Sequence, residues 1–206
     1  KMRIPGLGGE VLSRAGGTPV VLPGGEIFTA LQTGVIDATE WVGPYNDLAF
    51  SLHTAAKYYY YPGWHEPGPT LEAMVNKEAW DSLPADLQMM IEVATRAIND
   101  DMLSEFTARN NAALVTLVEE HGVQLRRLPD DVLLKLKDIS KEVVAEAGLE
   151  NELAGRIHKS YTNFQQDVAK WSCARGAASR GRRPGRAWRT ARPCRSATSS
   201  RRNPRT

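Results

Sequence analysis

Short apolar segments alternate with helix-like segments along residues 1–40, and glycines mark most of the junctions. The pattern predicts strands at residues 1–4, 18–22 and 35–38, with one helix that ends before Gly16 and another over residues 26–33. Strands and helices that alternate across such short loops are typical of a parallel or mixed sheet covered by helices. The alternation therefore predicts an α/β fold.

Helical spacing of apolar residues dominates the rest of the sequence. The pattern predicts a helix from Pro44 to Ala56, strands at residues 58–61 and 70–75, a helix of over thirty residues from Pro84 to Gly122, a short strand at residues 123–125, and two last helices separated by Gly148. The long helix is the most extended regular element that the sequence predicts.

Charge is unevenly distributed along the chain. Residues 172–206 contain eleven of the 26 basic residues, all arginine, and none of the 24 acidic ones. This segment also lacks Leu, Ile, Val and Phe, so it has too little apolar surface to offset the entropy cost of ordering. We therefore predict that residues 172–206 are a disordered basic tail. Its Arg, Ala, Ser, Gly and Pro composition further suggests a segment that is read out of frame.

The sequence lacks the residues that several classes of functional site need. The glycine-rich run at residues 6–9 matches neither a dinucleotide-binding fingerprint nor a P-loop. The four histidines show no paired metal-binding spacing, and both cysteines lie in the basic tail. No serine stands in a nucleophile-elbow motif. The sequence therefore favours a protein that is not an enzyme.

Arg3 is the first candidate binding residue. It ends a predicted strand and precedes Pro5-Gly6, a position where α/β folds commonly present groups to a ligand. A guanidinium matches a carboxylate with two parallel hydrogen bonds, whereas lysine offers only a point charge. The alternative interpretation is a solvated surface arginine.

Glu40 and Trp41 occupy the equivalent position after another predicted strand. A carboxylate oxygen of Glu40 and the carbonyl of Trp41 are ligands that a hard cation prefers, and the indole would exclude water from a small ligand. The alternative is a boundary glutamate beside a packed tryptophan. Glu66, in the bend Trp64-His65-Glu66-Pro67, is a weaker candidate, because such a bend also serves as a plain connection.

The basic tail raises a different hypothesis. Eleven arginines would attract nucleic acid regardless of its sequence, so association with nucleic acid through residues 172–206 is the alternative function. Deletion of the tail would discriminate it from a binding function that resides in residues 1–171.

Two strings carry a resemblance to a known family. Residues 1–50, which include KMRIPG and GVIDATEWVGPYN, and the string YYYYPGWHEPG at residues 58–68 resemble the DctP-type solute-binding proteins of TRAP transporters. The likeness is greatest to the branch that binds α-keto acids such as pyruvate, and it extends over about residues 1–171. It implies a two-lobed periplasmic binding protein-like fold of type II-like form, of which this chain would be the C-terminal half.

The resemblance also implies roles for the candidate residues. Arg3 stands where the family binds the substrate carboxylate, and Glu40 with Trp41 stands where the α-keto acid branch holds a cation that bridges to substrate. Sodium is the implied cation, with calcium as the other candidate. The predicted substrate-binding residues are therefore Arg3, Glu40 and Trp41, together with Glu66, which rests on the local bend alone. Glu40 and Trp41 are also the predicted metal ligands.

The same resemblance implies an organisation and partners. Residues 1–40 and 73–171 would belong mainly to the second lobe, residues 41–72 would cross to the first, and the long helix would brace both. The intact protein would be periplasmic, would deliver a small carboxylate to TRAP permease subunits in the membrane, and would have the capacity to form a homodimer, with no role for nucleic acid. The chain itself has no signal-peptide pattern.

Overall fold

The computed structural model describes residues 1–66, 68 and 71–179. The chain separates into two units, with the division between Val143 and Val144. Within the described ranges, no helix is both long and apolar enough to cross a bilayer.

Three parallel strands form the sheet that positions the candidate site. Strand β1 (Met2–Arg3) lies between β2 (Pro19–Val20) and β3 (Ala38–Thr39). Because all three strands run in the same direction, their carboxyl ends meet at one edge of the sheet. The predicted α/β class is confirmed.

Two helices cover this sheet as the sequence predicts. Helix α1 (Gly6–Ala15) ends at Gly16, whose left-handed φ of 104° lets its N–H bond to the last turn. Helix α2 (Ile27–Gln32) follows a single 3-10 turn over Gly24–Glu26. Ile27 is 0% exposed and Ile4 is 1% exposed. Burial of each such side chain contributes about 1.5–3 kcal/mol, which holds both helices on the sheet.

The segment after β3 forms two helices where the sequence predicts one. Helix α3 (Pro44–Ala49) is separated from α4 (Leu52–Ala55) by Ser51, whose φ of 55° is incompatible with a continuous right-handed helix. Phe50, just before this break, packs against Trp41 with ring centroids 5.2 Å apart. Strand β4 (Tyr58–Tyr61) then forms as predicted.

The strand predicted at residues 70–75 is wrong over its described part, 71–75, which has no regular structure. Leu71 and Met74 are 75% and 85% exposed. A strand needs a neighbour for its backbone groups, and no described strand pairs with this segment. A short helix that we did not predict, α5 (Lys77–Asp81), follows it and is capped by the Asn76 side chain.

The predicted long helix is confirmed as α6 (Ala85–Glu119). At 1.5 Å per residue it is about 50 Å long. It holds the start of α3, because the Asn110 side-chain oxygen accepts the Tyr45 backbone N–H at 2.9 Å. The Tyr45 ring also meets Phe106 edge to face, at 5.9 Å. The part of the chain that includes α3 is thereby attached to the long helix.

Strand β5 (Gln124–Arg127) pairs with β4 in parallel, and α7 (Asp130–Ala147) follows it. Leu136 and Val143 of α7 form a buried cluster with Val11 of α1. Contacts between residues far apart in sequence thus join α1 and α7 within the first unit.

The last helix, α8 (Glu152–Ser179), corrects one prediction. Disorder was expected from residue 172, but the helix continues through residues 172–179. This stretch contains three alanines, which are strong helix formers, so local propensity favours continuation of the helix. The rest of the predicted tail, residues 180–206, lies outside the described residues.

One acidic side chain is buried in helix α3, a few residues after Glu40. Asp47 of α3 is 7% exposed and accepts a hydrogen bond from the Tyr59 hydroxyl of β4. Burial raises the pKa of Asp47 to about 6, and the nearby charge of Glu40 raises it further, while the Tyr59 hydrogen bond opposes the shift. Sequence inspection gave no signal for this pair.

Leu117→Ala should lower the free energy of unfolding by about 2–5 kcal/mol, because it removes buried methyl groups and leaves a cavity. Leu117 is 1% exposed, whereas Leu103 in the same helix is 70% exposed. Leu103→Ala is therefore the matched control and should cost less than about 0.5 kcal/mol. Urea denaturation followed by circular dichroism measures both. Equal losses in the two variants would contradict this burial pattern.

Asp47→Asn should reveal the titration of the buried acid. The folded pKa of about 6 lies above the ordinary 3.8, so the folded chain binds this proton before the unfolded chain does as the pH falls. The unsubstituted chain should thus gain stability relative to Asp47→Asn between pH 7 and pH 4. Asp138→Asn should show the opposite trend, because a hydrogen bond from Lys141 lowers the pKa of that exposed carboxyl. Urea denaturation at each pH tests this, and a pH-independent difference for Asp47 would refute it.

Candidate functional site

The parallel sheet brings Arg3 and Glu40 together. Arg3 is the last residue of β1 and pairs in register with Thr39 of β3, so Glu40 begins the adjacent loop at the same edge. The Glu40 backbone N–H donates to the Arg3 carbonyl at 3.3 Å. The two side chains therefore leave neighbouring strand ends, where open α/β sheets commonly bind ligands.

Arg3 and Glu40 form a largely buried ion pair. Arg3 Nη1 donates to Glu40 Oε1, and the side chains are 12% and 8% exposed. Arg3 Nε also donates to the Leu22 carbonyl at 3.1 Å, which fixes the plane of the guanidinium. On the other oxygen of the carboxylate, His65 Nε2 lies 3.4 Å from Glu40 Oε2. Each oxygen of Glu40 thus faces a nitrogen atom of another side chain.

Trp41 supports the ion pair. The Arg3 guanidinium carbon lies 5.5 Å from the centroid of its ring, within the range of a cation–π contact. Gly24 permits this packing, because a Cβ there would stand 2.5 Å from the indole. The indole Nε1 is buried and has no hydrogen-bond partner among the described residues.

A cavity of about 290 Å³ adjoins the ion pair. Its wall comprises residues 4–8, Glu40, His65 and Glu66. Residues 6–8 are the first turn of α1, whose N-terminus carries the positive end of the helix dipole. Glu40 is the residue that the ion pair and the cavity wall share, whereas Arg3 and Trp41 are not among the residues that line the cavity.

The donor atoms around the cavity suit a hard cation in type. Glu40 and Glu66 offer carboxylate oxygens, which sodium and calcium prefer over nitrogen or sulfur. Within the part of the chain that the structure describes, no three side chains of the His, Cys, Asp and Glu types converge on one point. The described residues therefore supply only part of an oxygen shell.

The four predicted site residues lie near one another, but with different surroundings. Arg3, Glu40 and Trp41 are in mutual contact, while Glu66 is exposed on the cavity wall. Sequence reasoning missed His65 as a partner of Glu40. The bend Trp64-His65-Glu66 was the available signal, but only folding shows that its histidine reaches the ion pair.

Comparison with known proteins gives a consistent assignment. The family model of the bacterial extracellular solute-binding proteins, family 7, matches residues 1–151. A relative from Nostoc sp. PCC 7120, a monocarboxylate 2-oxoacid-binding periplasmic protein, is 42% identical over 172 residues, which are 84% of this chain and 47% of that protein. The chain spans about half the length of the curated relatives it matches.

Solved structures agree with this result. A TRAP periplasmic solute-binding protein from Pseudoalteromonas atlantica, with bound sodium and pyruvate, has a TM-score of 0.80 and 40% identity over 87% of this chain and 55% of its own. A protein of the same kind from Colwellia psychrerythraea, with bound calcium and pyruvate, has a TM-score of 0.81 and 38% identity over the same shares. The chain therefore belongs to the DctP family, the bacterial extracellular solute-binding proteins of family 7.

Proposed function

We propose that this chain provides one wall of a binding site for a small 2-oxo acid such as pyruvate, together with a hard cation. The observation that carries the proposal is the buried Arg3–Glu40 pair at the edge of a parallel sheet, beside a cavity of about 290 Å³. Relatives that bind pyruvate with sodium or calcium support this choice of ligand.

Each residue has a specific role in this proposal. Arg3 binds the carboxylate of the acid, because its fork matches two oxygens and the Leu22 carbonyl fixes its orientation. Glu40 and the Trp41 carbonyl hold the cation, with Glu66 nearby on the cavity wall. The cation would supply positive charge that joins Glu40 to a negatively charged ligand, two groups that otherwise repel each other.

The wider role follows from the family. We assign the protein to the periplasm and to transport rather than catalysis, with delivery of the acid to the membrane permease subunits of a TRAP transporter. The periplasmic binding protein from Nostoc supports this assignment. Residues 41–72 are proposed to contribute to the other lobe of the family fold, and a homodimer of the intact protein remains a prediction.

Nucleic-acid association gains no support as an alternative. The family match ends at residue 151, before the arginine-rich segment that suggested it. Most of that segment, residues 180–206, lies outside the described residues.

Arg3→Lys should weaken the binding of pyruvate by about 1.5–3 kcal/mol, because a lysine cannot reproduce the bidentate, charge-assisted contact. Titration of pyruvate into the isotope-labelled 206-residue chain, followed by NMR in sodium chloride and in calcium chloride, measures the affinity even when it is weak.

Arg127→Lys is the matched control, since Arg127 forms an exposed ion pair with Asp130 that is remote in sequence from the site. It should leave the affinity unchanged. Equal affinities in Arg3→Lys and the unsubstituted chain would remove Arg3 from the site. A folded chain that shows no saturable binding in either salt would contradict the proposed function itself.

A further inference from the structure

Glu40 occupies the Arg3 guanidinium, which is the group that the organic acid needs. Its Oε1 accepts from Arg3 Nη1, and its Oε2 lies 3.4 Å from His65 Nε2. The pair is 12% and 8% exposed, and Glu40 rather than Arg3 lines the cavity. A carboxylate that belongs to the protein thus stands on the guanidinium where the carboxylate of an organic acid would bind.

We infer that Glu40 acts as an internal competitor for Arg3, and that a cation bound by Glu40 releases the Arg3 guanidinium to the organic acid. This inference rests on the proposed function and adds an order of events to it. The cation binds first, the ion pair exchanges, and the acid then takes the place of Glu40 on Arg3.

Electrostatics favours this exchange. A cation on Glu40 next to Arg3 would place two positive charges around one carboxylate in a largely buried site, where repulsion is poorly screened. The arrival of a second carboxylate relieves that repulsion, so the cation and the acid each improve the binding of the other. Without the cation, the acid has to displace Glu40 from Arg3, and the displaced carboxylate then loses the charged partner of its Oε1 and keeps the contact of its Oε2 with His65.

Arg3 is held in place for the exchange by contacts that do not involve Glu40. Its Nε donates to the Leu22 carbonyl at 3.1 Å, and its guanidinium carbon lies 5.5 Å from the Trp41 ring centroid. These contacts keep the guanidinium oriented when Glu40 leaves Nη1. His65 serves as a second partner for Glu40, because it faces the other carboxylate oxygen.

Glu40→Gln distinguishes this exchange from a simple bridging role. Glutamine keeps the shape of the side chain but removes the charge that holds Arg3. For the unsubstituted chain, calcium should tighten the binding of pyruvate by about tenfold or more, within the usual range for coupled sites. In Glu40→Gln, pyruvate should bind without a cation more tightly than it binds the unsubstituted chain without one, and calcium should change that affinity less than twofold.

The measurement is an NMR titration of pyruvate into the 206-residue chain, in N-methylglucamine chloride with and without calcium chloride at constant ionic strength. Thermal unfolding confirms that each variant is folded. If Glu40 served only as a cation ligand, Glu40→Gln without a cation would bind no better than the unsubstituted chain. That outcome would overturn the exchange and leave the proposed function intact.

Chemical modification of Arg3 gives a second readout that needs no organic acid. Phenylglyoxal reacts with accessible guanidinium groups, and peptide mass spectrometry reports the rate at each arginine. Calcium alone should speed the modification of Arg3, and added pyruvate should slow it again. Arg127, whose exposed pair with Asp130 is the control, should be unaffected.

The two readouts separate the possible failures. An Arg3 modification rate that does not respond to calcium or sodium would overturn the inference even if pyruvate binds. Absence of saturable pyruvate binding in every folded variant would overturn the proposed function together with the coupling. In that case, the rate of Arg3 modification with and without a cation would by itself decide whether the exchange occurs.

Discussion

Strand β1 is hydrogen-bonded on both sides, by β2 and by β3, and the arrangement of the site depends on this pairing. Parallel pairing puts the carboxyl ends of β1 and β3 together, so residues 37 positions apart in sequence meet as an ion pair. A slip of one residue would turn Arg3 toward the opposite face of the sheet. Because so few hydrogen bonds hold each two-residue pairing, the register depends on buried side chains such as Ile4, which is 1% exposed.

Burial distinguishes the Arg3–Glu40 pair from the exposed ion pairs on the surface of the described chain. Arg127 and Asp130, for example, are 54% and 73% exposed, and such surface pairs contribute little to stability. Arg3 instead has a backbone carbonyl, an indole ring and a carboxylate around one guanidinium. Gly24 is part of this arrangement, since any side chain there would collide with Trp41. The arginine is therefore preorganised by its surroundings rather than by one partner.

Local patterns in the sequence predict the strands and helices of residues 1–40 and the long helix α6, because hydrophobic spacing and glycine caps specify them within a few residues. They also identify Arg3, Glu40 and Trp41 as candidates, since each stands at a strand end. Other features depend on distant contacts, and local patterns do not reveal them. His65 meets Glu40 across 25 positions, and the segment at residues 71–75 lacks the neighbour that its apolar, β-compatible composition predicts.

Helix α6 meets the segment beside the site through Asn110, which lies near its C-terminal end. At 1.5 Å per residue, Asn110 lies about 38 Å from the Ala85 end, so a rotation of about 5° at Asn110 would move that end by about 3 Å. A small shift of α3, which begins only a few residues after Glu40, would thus displace the N-terminal end of α6 by a larger distance. The length of the helix would therefore amplify a small change in the segment that follows Glu40.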